Sequence, residues 1–359
     1  MNIKLNTFAC ALLLVAIIQG CKKEDNVVYT PAGPYSNGAF VANEGTFGQA
    51  NASVSFYDFA GDSVRNSIFS AVNGHPLGQL LQSMHAAGGK MYMILNLSDT
   101  VEVVSANDFK STGIITGLSS PRYMTSYNNK GYVTQWGETG VVKVVDLNTN
   151  AILKTIDVGT GPEQAMVANG MVLVCNGGAY DVDSTVSVID PASGSVVKTV
   201  VVGDNPKEMV TDRNNDIWIV CYGYIKYDGS FNIILETPSK IVKLSGANFQ
   251  KTGEYIISAT RHPQHIDISK DGSIVYYGGG FGFSGIYAMN INAASVPADP
   301  LVDGTKYFYG FNVNPADGEI YGLDATDFTT PGKLCKYSSQ GTLIREYVTG
   351  VAPNGVLFR

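Results

Sequence analysis

Apolar and polar residues along this chain fall into short runs. Stretches of about five apolar residues, such as MYMIL at 91–95, MVLVC at 171–175 and IWIVC at 217–221, are closed by Asn, Asp, Gly or Tyr and followed by turn-forming segments. Runs this short, rich in Val, Ile, Tyr and Phe, predict β-strands. No convincing helix is predicted after the first twenty residues. The runs recur in a fixed order: GVVKVVDLNTNAILKTIDVGTGP at 140–162 returns, little changed, as TVSVIDPASGSVVKTVVVGDNP at 185–206.

Equivalent residues of the strand that opens after each Gly/Pro corner fall at Met84, Met124, Ala165, Met209, Ile266, Phe311 and Val356, separated by 40, 41, 44, 57, 45 and 45 residues. Each of the seven units therefore holds an opening strand A, a tight turn, an apolar strand B, a variable loop, a strand C (VSVID, 186–190), a second turn and a strand D (VVKTV, 196–200). Turns such as NNKG at Asn128, KDG at Lys270 and ADG at Ala316 carry residues that tolerate positive φ. One small twisted sheet cannot bury both of its faces, so a fourfold-stranded repeat of this period needs neighbours on each side. The predicted fold is all-β: a seven-bladed β-propeller of four-stranded antiparallel blades over residues 38–359. Unit one starts at strand B, so PNGVLF at 353–358 is expected to supply its strand A and close the ring.

These features resemble the YVTN-type propeller repeat, matched best from Pro162 to Pro206 and in GYVTQW at Gly131; units five to seven depart from it by insertions such as YGYIKYDGSFNIILETPS. The N-terminus adds a second resemblance. MNIKLNTFACALLLVAIIQGC has a Lys-bearing start and an apolar run from Phe8 to Ile18, the pattern of a secretory signal. Its IIQGC ending resembles a bacterial lipobox, which implies a signal peptide over 1–20 and a lipid anchor on Cys21. KKEDN at 22–26 is similar to the charged tags that send lipoproteins of the Bacteroidetes to the outer face of the outer membrane, and Val27–Asn37 reads as a linker. Together these imply a surface propeller lipoprotein. One such group captures cobalamin for a TonB-dependent transporter, which makes a corrinoid the most specific ligand that the resemblance suggests.

Composition narrows the partners. With 24 Lys+Arg against 31 Asp+Glu the net charge is −7, which repels a phosphate backbone and disfavours nucleic acid. Three cysteines remain after Cys21, namely Cys175, Cys221 and Cys335. An odd, scattered set does not describe a disulfide framework, and the first two end apolar runs, so buried free thiols are expected.

Unequal loops locate the expected site. In an A-B-C-D blade the B-to-C loops and D-to-A corners share one face. The B-to-C loops hold Phe47, Trp136, Tyr180, Tyr222, Tyr224, Tyr227, Phe281, Phe283 and Phe328. After the corner prolines come Arg122, Glu163, Lys207 and Gln264, with His265 one residue later, expected to ring the mouth of the central channel. Aromatic walls with a few polar groups suit a small molecule or glycan, with delivery to a TonB-dependent transporter as the expected partner step and the membrane met only through the lipid. The alternative reading is a lactonase- or lyase-like enzyme with a channel-mouth metal, for which Glu163, Glu208, His265 and Asp267 are the best ligands, though Arg122 and Lys207 interrupt them. There is no Gly-x-Ser-x-Gly elbow, and DVDS at 181–184 and DRNND at 212–216 lack a calcium-loop frame and read as turns. No catalytic residue, metal or cofactor is assigned. A third reading is an adhesive surface protein whose aromatic loops only pack.

Overall fold

The computed structural model describes residues 33–137 and 139–359, so the signal segment and Cys21 lie outside the described residues. Seven four-stranded antiparallel sheets are present, in the strand order A-B-C-D. Blade 1 takes its A strand from Pro353–Phe358, which pairs antiparallel with Gly38–Asn43, as the repeat count requires. The remaining A strands are Leu81–Ala87, Pro121–Tyr127, Pro162–Ala168, Pro206–Thr211, His265–Ile268 and Gly310–Val313. Each A strand touches the A strand of the next blade all the way round, so these strands line a central channel.

The alternation of side chains along each strand explains why the B strands read as unbroken apolar runs. In Lys90–Leu95, Met91, Met93 and Leu95 pack on Phe40 and Phe56 of blade 1. Tyr92 and Ile94 point the other way, to Met124, Val133 and Val145 of blade 3. The same division holds at every blade boundary, giving seven apolar clusters, the last of which joins Tyr321 and Leu323 of blade 7 to Val41 and Tyr57 of blade 1. Cys175 and Cys221 are buried free thiols in the cluster between blades 4 and 5, and Cys335 is buried between blades 6 and 7.

Two local elements depart from the expected pattern. A six-residue helix, Ile68–Asn73, follows strand D of blade 1 and buries Ile68 and Phe69 in the first cluster; one and a half turns are too few to show a helical period. The long B-to-C connection of blade 5 folds into a two-stranded hairpin, Ile225–Tyr227 with Ile233–Glu236. It is clamped at its base, where Glu236 meets His262 Nε2 at 2.9 Å and the Thr237 hydroxyl donates to Asp204 at 2.7 Å. The described chain enters on the opposite face. Gly33 packs against Asn107 in the C-to-D turn of blade 2, and Arg65 donates to the Pro34 carbonyl at 2.7 Å.

Candidate functional site

The A strands bring one side chain per blade to the mouth of the channel. Two residues before each repeat anchor stand Gln82, Arg122, Glu163, Lys207, Gln264, Tyr309 and Asn354, and all seven line one cavity of about 560 Å³. In blades 2 to 5 the pairing register shifts at this point, for example between Pro121 and Met124 and between Pro162 and Ala165. An extra residue in the ladder bends the strand and re-aims its side chain. Here it turns the residue after the corner toward the mouth.

The next positions fasten blade to blade. Gln164 Oε1 accepts the Met209 N–H at 2.7 Å, Glu208 Oε2 accepts Ile266 N–H at 3.2 Å, and Asp267 Oδ2 accepts Val313 N–H at 2.8 Å. Asn312 Oδ1 accepts Val356 N–H at 2.8 Å, and Asn354 Nδ2 donates back to the Leu81 carbonyl at 3.0 Å. One wall of polar groups thus serves both closure of the ring and the lining of the cavity.

Its charges are mutually compensated. Glu163 lies between two cations, accepting from Arg122 Nε at 2.9 Å and from Lys207 Nζ at 3.0 Å, while Arg122 also donates to the Gln82 side chain. Burial alone would push the Glu163 carboxyl up, but the two cations outweigh it and hold it below the usual carboxylate range. Burial acts to lower His265, yet the Glu208 carboxylate, 3.0 Å from Nδ1, raises it above its ordinary value. Farther along the channel, burial moves His85 down to about 4, with Nε2 2.9 Å from the Ser126 hydroxyl. Glu44, at the rim, is raised chiefly by burial, which the nearby Tyr309 hydroxyl and the Arg122 charge offset only in part.

Asp267 gives a prediction. Burial, with the Glu208 charge adding to it, raises its carboxyl to about 6 against the bonds from Val313 and Ile268 N–H. An unfolded aspartate titrates near 3.9, so the folded state holds this proton more tightly. The contribution of Asp267 to stability is therefore most favourable below about pH 4 and declines as pH rises toward about 6. Relative to wild type, Asp267→Asn is expected to gain stability progressively over that interval and to stay level above it. Urea midpoints from pH 4.5 to 7.5 check this; a difference that stays constant with pH contradicts it.

The expected aromatic wall is only partly assembled. Trp136 and Phe281 line the channel mouth, where the Arg122 guanidinium lies 4.2 Å from the centre of the Trp136 ring and Tyr180 packs edge-on against that ring at 5.4 Å. Phe281 and Phe328 line a second cavity of about 310 Å³. Phe47 and Tyr180 are exposed, at 77% and 94%, outside both cavities. Tyr222 packs on His262 at 4.9 Å and the Tyr224 hydroxyl donates to Asp181 at 3.2 Å, so both brace the blade 5 hairpin, on which Tyr227 sits exposed. Phe283 corrects the expectation made for it: it is fully buried in the core beside Tyr277 and Tyr287. Gly282, at φ +75°, reverses the chain between Phe281 and Phe283, so one ring faces out and the next is driven inward.

Gln82, Tyr309 and Glu44 were not picked out from the sequence. The first two occupy the same repeat position as Arg122 and Glu163, but their corners lack the proline that marks the others. Counting back two residues from the anchors Met84 and Phe311 finds both. Among the described residues no three His, Cys, Asp or Glu side chains form a group that could hold a metal ion, and the carboxylates at Glu163, Glu208 and Asp267 are each bonded to protein partners instead. The segments at Asp183 and Asp212 are turns: Asp183 accepts Thr185 N–H, and Asp212 accepts Asn214 and Asp216 N–H. No helix among the described residues is long and apolar enough to cross a membrane.

A family model described as "Domain of unknown function (DUF5074)" matches residues 37–349. Among solved structures, a quinonprotein alcohol dehydrogenase-like protein from Bacteroides thetaiotaomicron superposes with a TM-score of 0.67 at 17% identity, covering 90% of this chain and 78% of that one. A candidate 6-phosphogluconolactonase from Bacteroides uniformis gives 0.65 at 12% identity over 90% and 99% of the two chains. The hydrazine synthase of Kuenenia stuttgartiensis gives 0.59 at 15% identity over 74% and 85%. At such identities the likeness speaks for the fold alone. No curated protein matches the chain.

Proposed function

The chain belongs to the DUF5074 family, and from its geometry we propose that it is a non-enzymatic binding propeller that takes a small polar molecule or glycan at the loop-bearing mouth of its channel. One observation carries this reading: seven side chains, one from the same strand position of every blade, converge on a single cavity of about 560 Å³. That volume lies within the range of small-molecule sites. Two glutamine amides, an asparagine amide, a tyrosine and the Arg122–Glu163–Lys207 cluster offer both donors and acceptors, which suits hydroxyl-bearing ligands. Trp136 at the rim offers a ring face for stacking. The mutual pairing of Glu163 and of Glu208 favours holding a ligand over attacking one.

In this reading the protein is tethered through lipid at Cys21 on the cell surface and passes its ligand to an outer-membrane transporter. The described chain leaves from the turn-bearing face, which supports a tether that leaves the mouth open. A corrinoid is the particular ligand that the resemblance to surface propeller lipoproteins suggests.

Calorimetric titration of the purified chain with cyanocobalamin, methyl glycosides and short oligosaccharides tests the proposal, with lactone hydrolysis followed in parallel. At least one of these ligands is expected to bind. Trp136→Ala and Gln82→Ala are each expected to weaken it by about tenfold, the loss of one stacked ring or one well-made hydrogen bond. Binding unchanged by both substitutions, or lactone turnover abolished by Glu208→Gln, would overturn it.

A further inference from the structure

We infer that the cleft between the loops of blades 6 and 7 is a second subsite, which holds a flat aromatic ring covalently joined to the polar group seated in the channel. The inference rests on the channel mouth being the ligand site. The cleft encloses about 310 Å³ and is walled by Phe281, Tyr307, Tyr309 and Phe328. Phe281 and Tyr309 line both cavities, so the two are adjacent and share these rings.

The two cavities differ in chemistry. Thr326 and the two tyrosine hydroxyls are the only polar side-chain groups lining the cleft, the rest being aromatic rings, Ala325 and glycine backbone. A sugar ring placed there would find few protein partners for its hydroxyls. An aromatic ring needs none. Phe281 and Tyr307 are 61% and 64% exposed, an apolar surface that a bound ring would take out of water.

The wall is also held in place before any ligand arrives. Phe281, Tyr309 and Phe328 pack on one another with ring centres 4.9 to 5.4 Å apart. Thr326 and Phe328 both sit at positive φ, 56° and 62°, which is unfavourable for a β-branched and a bulky residue. Their loop is fixed there by the Asp324 carboxylate accepting Thr326 N–H at 2.9 Å, by the Asp327 carboxylate accepting Thr330 N–H at 2.7 Å, and by the Thr46 hydroxyl donating to the Phe328 carbonyl at 3.1 Å. A rigid wall loses little freedom on binding, which is the advantage of preorganisation.

Ligand-detected NMR and calorimetry on the full chain test this with named probes: methyl β-glucoside, 4-nitrophenyl β-glucoside, ribose, adenosine, 4-nitrophenol and choline. At least one ring-bearing probe, 4-nitrophenyl glucoside or adenosine, is expected to bind about tenfold more tightly than its ring-free parent, and which of them does identifies the ring as aryl or nucleobase. Tyr307→Leu, and independently Phe328→Leu, both confined to the cleft, should erase that gain and leave the parent sugar unchanged. Equal binding of joined and parent probes, or a Phe328-dependent preference for choline, overturns the inference while the channel reading stands. If 4-nitrophenol binds in a Phe328-dependent way and no sugar adds to it, the cleft takes a free ring only, and the joined-ligand inference falls together with the channel reading. If no probe binds, both fall.

Discussion

A chain ended at Ala352 is expected to lose cooperative folding altogether. Residues 353–359 carry out three closures at once. They pair with Gly38–Asn43 as the A strand of blade 1. They meet blade 2 through Asn354 Nδ2 on the Leu81 and Gln82 carbonyls and through Arg359 on the Ala106 carbonyl. They meet blade 7 through Asn312 on the Val356 N–H and through Phe358 stacked edge-on to Tyr321 at 5.0 Å. Removing the strand strips several ladder hydrogen bonds of about 1 kcal/mol each. It also uncovers Phe40 and Val41, both fully buried, where each apolar side chain contributes about 1.5–3 kcal/mol. The total rivals the 5–15 kcal/mol that separates folded from unfolded chains. Insolubility, or a broad transition by circular dichroism, is the expected result. A truncated chain that melts sharply within a degree or two of wild type would show that the ring does not depend on its last strand.

Glu163→Ala has the next largest expected effect. The Glu163 side chain is 3% exposed and holds Arg122 and Lys207, 16% and 18% exposed, in the channel wall. Removing the carboxylate leaves two cations facing each other with little water to screen them. Breaking a buried pair in this way costs about 3–5 kcal/mol. Glu163→Gln keeps the shape but not the charge and should lose nearly as much. Adding Arg122→Met and Lys207→Met to Glu163→Ala should recover most of the loss, since the cost lies in the uncompensated charge. Urea unfolding of the set decides it. A single mutant within about 1 kcal/mol of wild type would mean that solvent reaches these cations freely.

Much of this architecture was legible because repetition carries more information than any single segment. All seven anchors lie in the innermost strands, and the C-terminal strand could be assigned by counting alone. The corner residues Arg122, Glu163, Lys207, Gln264 and His265 also reach the channel, since the bulge that turns them inward follows the corner proline in several blades. The loops were less legible. Their conformation depends on contacts with neighbouring blades that no local pattern encodes. Phe281 and Phe283 are two residues apart and would share a face in a strand, yet Gly282 separates them into wall and core. Tyr222 and Tyr224, expected to face a ligand, also brace a hairpin, because Asp181 and His262 arrive from blade 4 and from the corner between blades 5 and 6. Tyr309 was hidden for the opposite reason, a repeat position without its usual marker.

The entry of the chain beside Asn107, across the wheel from the aromatic rim, bears on how the molecule can be handled. In the reading proposed above, a bead, dye or fusion partner joined directly to residue 33 would start from the turn-bearing face, away from the mouth. The same cargo inserted at the tip of the blade 5 hairpin, around Ser230, would overhang the entrance and shade it.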